Sequence, residues 1–116
     1  MTFAILDEVP DSRAISADAA LRALAEPRRR EMLRLVRDEP RSVGEIAERF
    51  DITQQAVSQH LQVLREAGLV DVRKEGQRRL YLIRPEGLGT LEAFITELWP
   101  AGLERLKHAV EGEHGG

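Results

Sequence analysis

Between residues 53 and 62, six side chains carry hydroxyl or amide groups: Thr53, Gln54, Gln55, Ser58, Gln59 and Gln62. Val57, Leu61 and Leu64 interleave with them at helical spacing, so one helix would bury an apolar stripe and turn the amides the other way. A solvated helix face is ordinarily rich in Lys and Glu, but only Arg65 and Glu66, near the end of this stretch, are charged. Amides donate and accept at once, which is the chemistry that reads base edges. A glutamine, for example, pairs with N6 and N7 of adenine in the major groove. The competing reading is a neutral surface helix with no partner. It is disfavoured because the amides begin at the helix N-terminus, where reading helices meet the bases.

A second cluster follows. Arg73, Lys74, Gln77, Arg78 and Arg79 surround Gly76, on a stretch whose alternation predicts a hairpin. Cations and an amide on a projecting ribbon suit phosphate or minor-groove contacts, which fix register without reading much sequence. The net charge of −3 argues against a nucleic-acid partner only until its distribution is read. Residues 53–84 hold six Lys/Arg against three acids, whereas residues 85–116 hold two against six. A local basic patch matters more than the total.

Catalytic material is scarce. The chain has no cysteine and three histidines, two of them near its end, so thiolate chemistry and disulfides are excluded. No nucleophile–His–acid set is present, and Gly87 and Gly89 lack the third glycine and the strand-to-helix setting of a dinucleotide loop. The expectation is a binding protein with no enzymatic activity and no cofactor. No apolar run approaches the roughly 20 residues of a membrane span. The first eleven residues lack the basic stretch of a secretory signal, so the expected compartment is the cytoplasm and no membrane partner is expected.

The elements that must position these groups can be read in turn. A length of 116 residues predicts one domain, with residues 1–15 as a weakly ordered arm and 113–116 as a tail. Ser16 can cap a helix through about Ala25, and Pro27 suits the first turn of the next, which Pro40 closes. Ser42-Val43-Gly44-Glu45 reads as a capping box for a helix of about eight residues ending near Phe50. Thr53 caps the amide-faced helix, 53–67, and Gly68 supplies a left-handed stop. A hairpin over 69–84 turns at Gly76. A last helix, 86–111, carries Leu88, Leu91, Phe94, Ile95 and Leu98, with a kink or interruption at Pro100. The predicted fold is mainly α with a small β-hairpin, α-α-α-α-β-β-α: a winged helix-turn-helix. The apolar surface of the last helix exceeds what one small core needs, so a homodimer is expected through Leu91, Phe94, Ile95, Leu98 and Trp99.

Three stretches, LRALAEPRRREMLRLV, SVGEIAERFDITQQAVSQHLQVLREAGLV and VRKEGQRRLYLI, closely resemble the ArsR/SmtB family of bacterial winged-helix repressors. The resemblance runs from about Leu21 to Leu106. It implies a homodimer built on the first and last helices, which adds Leu21 and Leu24 to the dimer surface, and a palindromic duplex-DNA operator. It also implies that Gln54, Gln55, Ser58 and Gln59 lie on the base-reading face, flanked by the wing. The metal-sensing members' cysteine pair falls here on Ser42 and Gly44, which supply no thiolate. Another branch binds zinc through Asp-x-His and His-x-x-Glu. On that spacing this chain offers Ile95 and Glu97, then His108 and Glu111, so Glu97, His108 and Glu111 are weak metal candidates and no metal is expected. The expected function is sequence-specific repression. A MarR-like regulator and a winged helix that binds protein are the alternatives, and the sequence names no effector.

Overall fold

The computed structural model describes residues 16–115. Its elements are α1 (Ala17–Leu24), α2 (Pro27–Asp38), α3 (Val43–Ala47), α4 (Gln54–Glu66), β1 (Val70–Glu75), β2 (Arg78–Ile83), α5 (Pro85–Leu98) and α6 (Gly102–Gly115). The expected arm, residues 1–15, lies outside the described residues.

Each of the first four helices starts where its sequence supplies a side-chain acceptor for an orphan amide. Ser16 Oγ accepts from Ala19 N at 3.1 Å, and Thr53 Oγ1 accepts from Ala56 N at 3.0 Å. Glu26 caps α2 by accepting from Arg28 N at 3.0 Å, with Pro27 in the first turn. The capping box of α3 is complete: Ser42 Oγ accepts from Glu45 N at 3.2 Å, and Glu45 Oε1 accepts from Ser42 N at 2.8 Å.

The core gathers at the convergence of α2, α3, α4 and the wing root, where Met32, Ile46, Val57, Leu61, Leu64, Leu69 and Val70 are sealed from solvent. Burying each such side chain contributes roughly 1.5–3 kcal/mol. The hairpin pairs antiparallel from Val70↔Ile83 to Glu75↔Arg78. Its two-residue loop puts Gly76 at φ 63° in the first central position, as a II′-type turn requires. Arg41, just before α3, adds a one-residue bridge to the outer edge of β2: Tyr81 N donates to Arg41 O at 2.8 Å and Arg41 N to Tyr81 O at 3.0 Å. The wing is thereby tied to both the N-terminal and C-terminal sides of the helix-turn-helix.

Two sequence expectations need correction, the length of α3 and the end of the last helix. Helix α3 spans five residues rather than eight, and Glu48–Phe50 form a turn that leads into α4. The final helix is interrupted at Pro100, as expected, and becomes two helices. Pro100 forces Trp99 out of helical geometry (φ −141°, ψ 77°), and the chain restarts at Gly102. Helix α6 then passes the expected stop at Gly112, because no left-handed turn forms there. Among the described residues only Gly68 and Gly76 have positive φ.

One close approach fixes where the last helices leave the domain. Gly87, in the first turn of α5, is buried against the end of α4. A Cβ there would collide with the Gly68 carbonyl, coming within 2.8 Å of its carbon and 3.1 Å of Leu69 Cα. These are backbone atoms and cannot step aside. Gly89, two residues on, has open space around it. Gly87→Ala should therefore cost about 1–3 kcal/mol, as overpacking does. Gly89→Ala should instead be neutral or gain up to about 1 kcal/mol from helix propensity, both read as urea midpoints. The capping-box carboxylate gives a second test. Glu45 is held below the usual carboxylate range by the Ser42 N–H and also by the Arg78 guanidinium, against some desolvation. A lowered folded-state value means that stability rises with pH between the folded and unfolded values and is lost as pH falls through the former. Glu45→Gln should thus destabilise at neutral pH, and the gap to wild type should close on acidification.

Candidate nucleic-acid interface

Helix α4 has 13 residues and two opposed faces. Val57, Leu61 and Leu64 are fully buried. At about 100° per residue, the line opposite them runs through Gln55, Gln59, Gln62 and Glu66. Thr53, Gln54, Gln55, Gln59 and Gln62 are exposed, while Ser58 is half-buried on the flank. Gln55, Gln59 and Gln62 therefore share the face opposite the buried stripe, with Gln54 and Ser58 on its flank and Thr53 at the cap. Gln62 differs from the rest: its Nε2 donates to Glu66 Oε2 at 2.9 Å, so that amide is partly engaged two turns into the helix. Thr53 spends its hydroxyl oxygen as acceptor for the helix start, with its donor left over.

His60 sits half-buried on the side of α4 facing α2, its Nδ1 3.2 Å from Arg29 Nη1. Arg29 also donates from Nε to the Ala23 carbonyl at 2.7 Å and from Nη2 to the Arg22 carbonyl at 3.4 Å. One guanidinium thus closes the C-terminal end of α1 and braces the reading helix. Arg28 and Arg30 on either side of Arg29 are exposed, and Arg30 likewise donates to an α1 carbonyl, that of Leu24, at 2.7 Å. The available signal was the short span from the α1 carbonyls to a run of arginines past a tight turn, since basic side chains satisfy last-turn carbonyls.

On the wing, Arg73, Lys74, Gln77, Arg78 and Arg79 are all exposed. Arg78 Nη2 meets Glu45 Oε2 at 3.0 Å, and Arg73 Nη2 meets Glu75 Oε2 at 3.4 Å. Lys74 and Arg79 lie directly opposite each other in the ladder, and among the described residues neither has an acidic partner. Like charges facing across two strands cost stability. This pair therefore places repelling positive charge at the tip of a ribbon, an arrangement that an anionic partner would relieve.

The expected dimer residues divide. Leu21, Ile95, Leu98 and Trp99 are exposed, Leu98 by 70%. Leu24 and Leu91 also pack against the chain's own core, and Phe94 is half-buried. Leu106 and Val110 of α6 are exposed too. Glu97 stands on α5 and His108 on α6, on either side of the Pro100 break, and His108 Nε2 lies 3.6 Å from Glu104. No three His, Cys, Asp or Glu side chains gather into a metal-binding group among the described residues, which do not include the Glu111 side chain. Nor is any described helix long and apolar enough to cross a membrane.

Residues 24–73 match the model of a helix-turn-helix domain family. The HTH-type transcriptional regulator Rv2034 of Mycobacterium tuberculosis is 37% identical over 84% of this chain and 92% of its own length. The biofilm growth-associated repressor of Agrobacterium fabrum is 32% identical, over 87% of this chain and 90% of that protein. Among solved structures, this fold is similar to the homodimeric winged helix-turn-helix DNA-binding domain of a possible ArsR-family regulator from Mycobacterium bovis. The TM-score is 0.59 at 32% identity, covering 88% of this chain and 87% of that one. With its amide-faced helix, basic wing and likeness to these regulators over most of its length, the chain belongs to the ArsR/SmtB family of winged helix-turn-helix transcriptional regulators.

Proposed function

We propose that the protein is a cytoplasmic, non-enzymatic repressor that binds a palindromic operator as a homodimer. The observation that carries this reading is the exposed amide face of α4, Gln55, Gln59 and Gln62, opposite a fully buried stripe, with Thr53, Gln54 and Ser58 beside it. Thr53, Gln54, Gln55, Ser58, Gln59 and Gln62 are assigned to base edges. Arg73, Lys74, Gln77, Arg78 and Arg79 are assigned to the sugar-phosphate backbone. The like-charged Lys74–Arg79 pair supports a phosphate partner, since neutralising phosphates releases counterions and makes binding salt-dependent. A repressor function is supported by the relative that carries that name. Selection from random duplexes tests the whole reading: it should yield a two-fold symmetric site with half-sites about 34–36 Å apart, one turn of DNA.

The dimer surface is assigned to the exposed apolar residues of α1 and α5, Leu21, Ile95, Leu98 and Trp99, with Leu24, Leu91 and Phe94 beneath them. Large apolar side chains exposed this densely mark an interface, and the similar M. bovis domain is homodimeric. A two-fold partner would cover them and pre-set the spacing of two reading helices.

Gln55→Ala should weaken operator binding by about 1–3 kcal/mol and binding to random duplex little. Lys74→Ala with Arg79→Ala should weaken both DNAs alike and reduce the salt slope by up to about two. Equal losses from the glutamine change on both duplexes would remove α4 from base reading. For the dimer, Ile95→Asp with Leu98→Asp alters exposed positions and should leave a folded monomer by sedimentation. Its loss of operator affinity should exceed that of Gln55→Ala. A monomer that holds the full palindrome like wild type would refute the assignment.

A further inference from the structure

A second concave site lies where the end of α1, the outer side of α2, the end of β2 and the first turns of α5 meet. Its volume is about 280 Å³, at the small end of the range for ligand pockets. Leu24, Leu33, Ile83 and Leu88 form its apolar part, and Arg30, Arg34 and Arg37 stand around them at i, i+4 and i+7 along α2. No carboxylate lines it. Three guanidiniums around an apolar hollow, with no acid among them, stand out in a chain whose net charge is −3.

The arginines are poised rather than consumed. Arg34 pairs with Glu31 at 2.8 Å and Arg37 with Asp38 at 3.1 Å, each between side chains more than half exposed, where ion pairs exchange easily with competing anions. Arg30 Nη1 donates to the Leu24 carbonyl at 2.7 Å, which holds its guanidinium beside the apolar part of the site with other N–H donors unspent. We propose that this cavity is an effector site for a small amphipathic carboxylate. Its hydrocarbon would lie on Leu24, Leu33, Ile83 and Leu88, and its carboxylate would bridge Arg30 and Arg34, the geometry guanidinium forks favour.

The site is placed to regulate, given the DNA-binding reading above, on which this part of the proposal rests. Leu24 ends α1 and Leu88 begins the exposed face of α5, so both belong to the elements assigned to the dimer. Ile83 ends the wing. The neighbouring Arg29 ties the Ala23 carbonyl to His60 on the reading helix. A carboxylate taken up by the unspent N–H groups of Arg30 acts on the side chain that holds the Leu24 carbonyl at the end of α1. A ligand that prefers one arrangement of these elements shifts the population toward it. Occupancy lowers operator affinity.

The test uses the full chain with octanoate as probe, 1-octanol as its neutral match and octylammonium as its cationic match. Binding is followed without DNA by calorimetry and by backbone amide shifts. Octanoate should bind at least tenfold more tightly than octanol, octylammonium should not bind, and the shifts should centre on Leu33, Ile83 and Leu88. Arg34→Gln with Arg37→Gln should weaken octanoate at least fivefold while matching wild type in thermal midpoint and in octanoate-free operator affinity. Saturating octanoate should loosen the wild-type operator complex at least threefold. Equal affinity for octanoate and octanol, shifts that map elsewhere, or octanoate binding that falls away as the dimer forms overturns the site. Specific binding with unchanged operator affinity overturns its regulatory role. If operator binding itself is absent while octanoate still binds here, the reading of function fails and the site stands.

Discussion

The fold depends on α4 having to be two things at once. Its Val57, Leu61 and Leu64 stripe is the centre of the core, packed with residues from α2, α3 and the wing root, while its other face is exposed. A helix of 13 residues, isolated in water, is only marginally stable. Its rigidity therefore comes from packing on the buried side. That packing sets the rotation of the helix about its own axis, and with it which residues can reach outward. Truncating any of the three buried residues would leave a cavity directly beneath the amide face. Binding and stability are thus inseparable along this one element, except on the line through Gln55 and Gln59.

Charge is distributed around that helix in a consistent way. Acidic side chains near the helix-turn-helix serve local bonds: Glu26 and Glu45 cap helix starts, and Glu45 reaches the wing through Arg78. Cations at the wing tip are left facing one another in Lys74 and Arg79. The first arrangement stabilises the free protein, whereas the second is a cost that only an anionic partner removes. Arg29 spans the two halves of the domain, since its guanidinium serves the α1 carbonyls and the His60 ring together. A change at the α1 end can therefore reach the reading helix through a single side chain.

The C-terminal part obeys a different constraint. Gly87 allows α5 to start in contact with the Gly68 carbonyl, and this contact fixes the direction in which the exposed apolar residues point. Pro100 then ends α5, and the Trp99 ring folds over Gly102, with Arg105 6.0 Å from the ring centroid. Leu98 and Trp99 consequently stand at a corner between two helices rather than along a straight stripe. A partner would have to match that angle, which makes the surface more selective than an uninterrupted helix would be.

Local interactions were legible in the residues themselves. The Ser16, Ser42 and Thr53 caps, the Gly76 turn, the left-handed stop at Gly68 and the opposed faces of α4 each depend on groups within a few positions of one another. Their chemistry therefore determined them before any tertiary contact formed. What lay beyond the sequence was set by groups distant along the chain. The Arg41–Tyr81 bridge joins residues 40 apart, and its one-residue length leaves no periodicity to detect. Arg29 could be assigned to α1 and His60 only once the tight turn at Ala25 and Glu26 had brought α2 back along α1. The proline at 100 announced an interruption, and the break is itself local: Trp99 leaves helical geometry and its ring packs over Gly102, three residues on. Leu24 and Leu91 look identical in sequence to the exposed leucines beside them. Their partial burial in the chain's own core follows from the close approach at Gly87, because a helix pattern specifies which side is apolar but not how deeply its neighbours cover it.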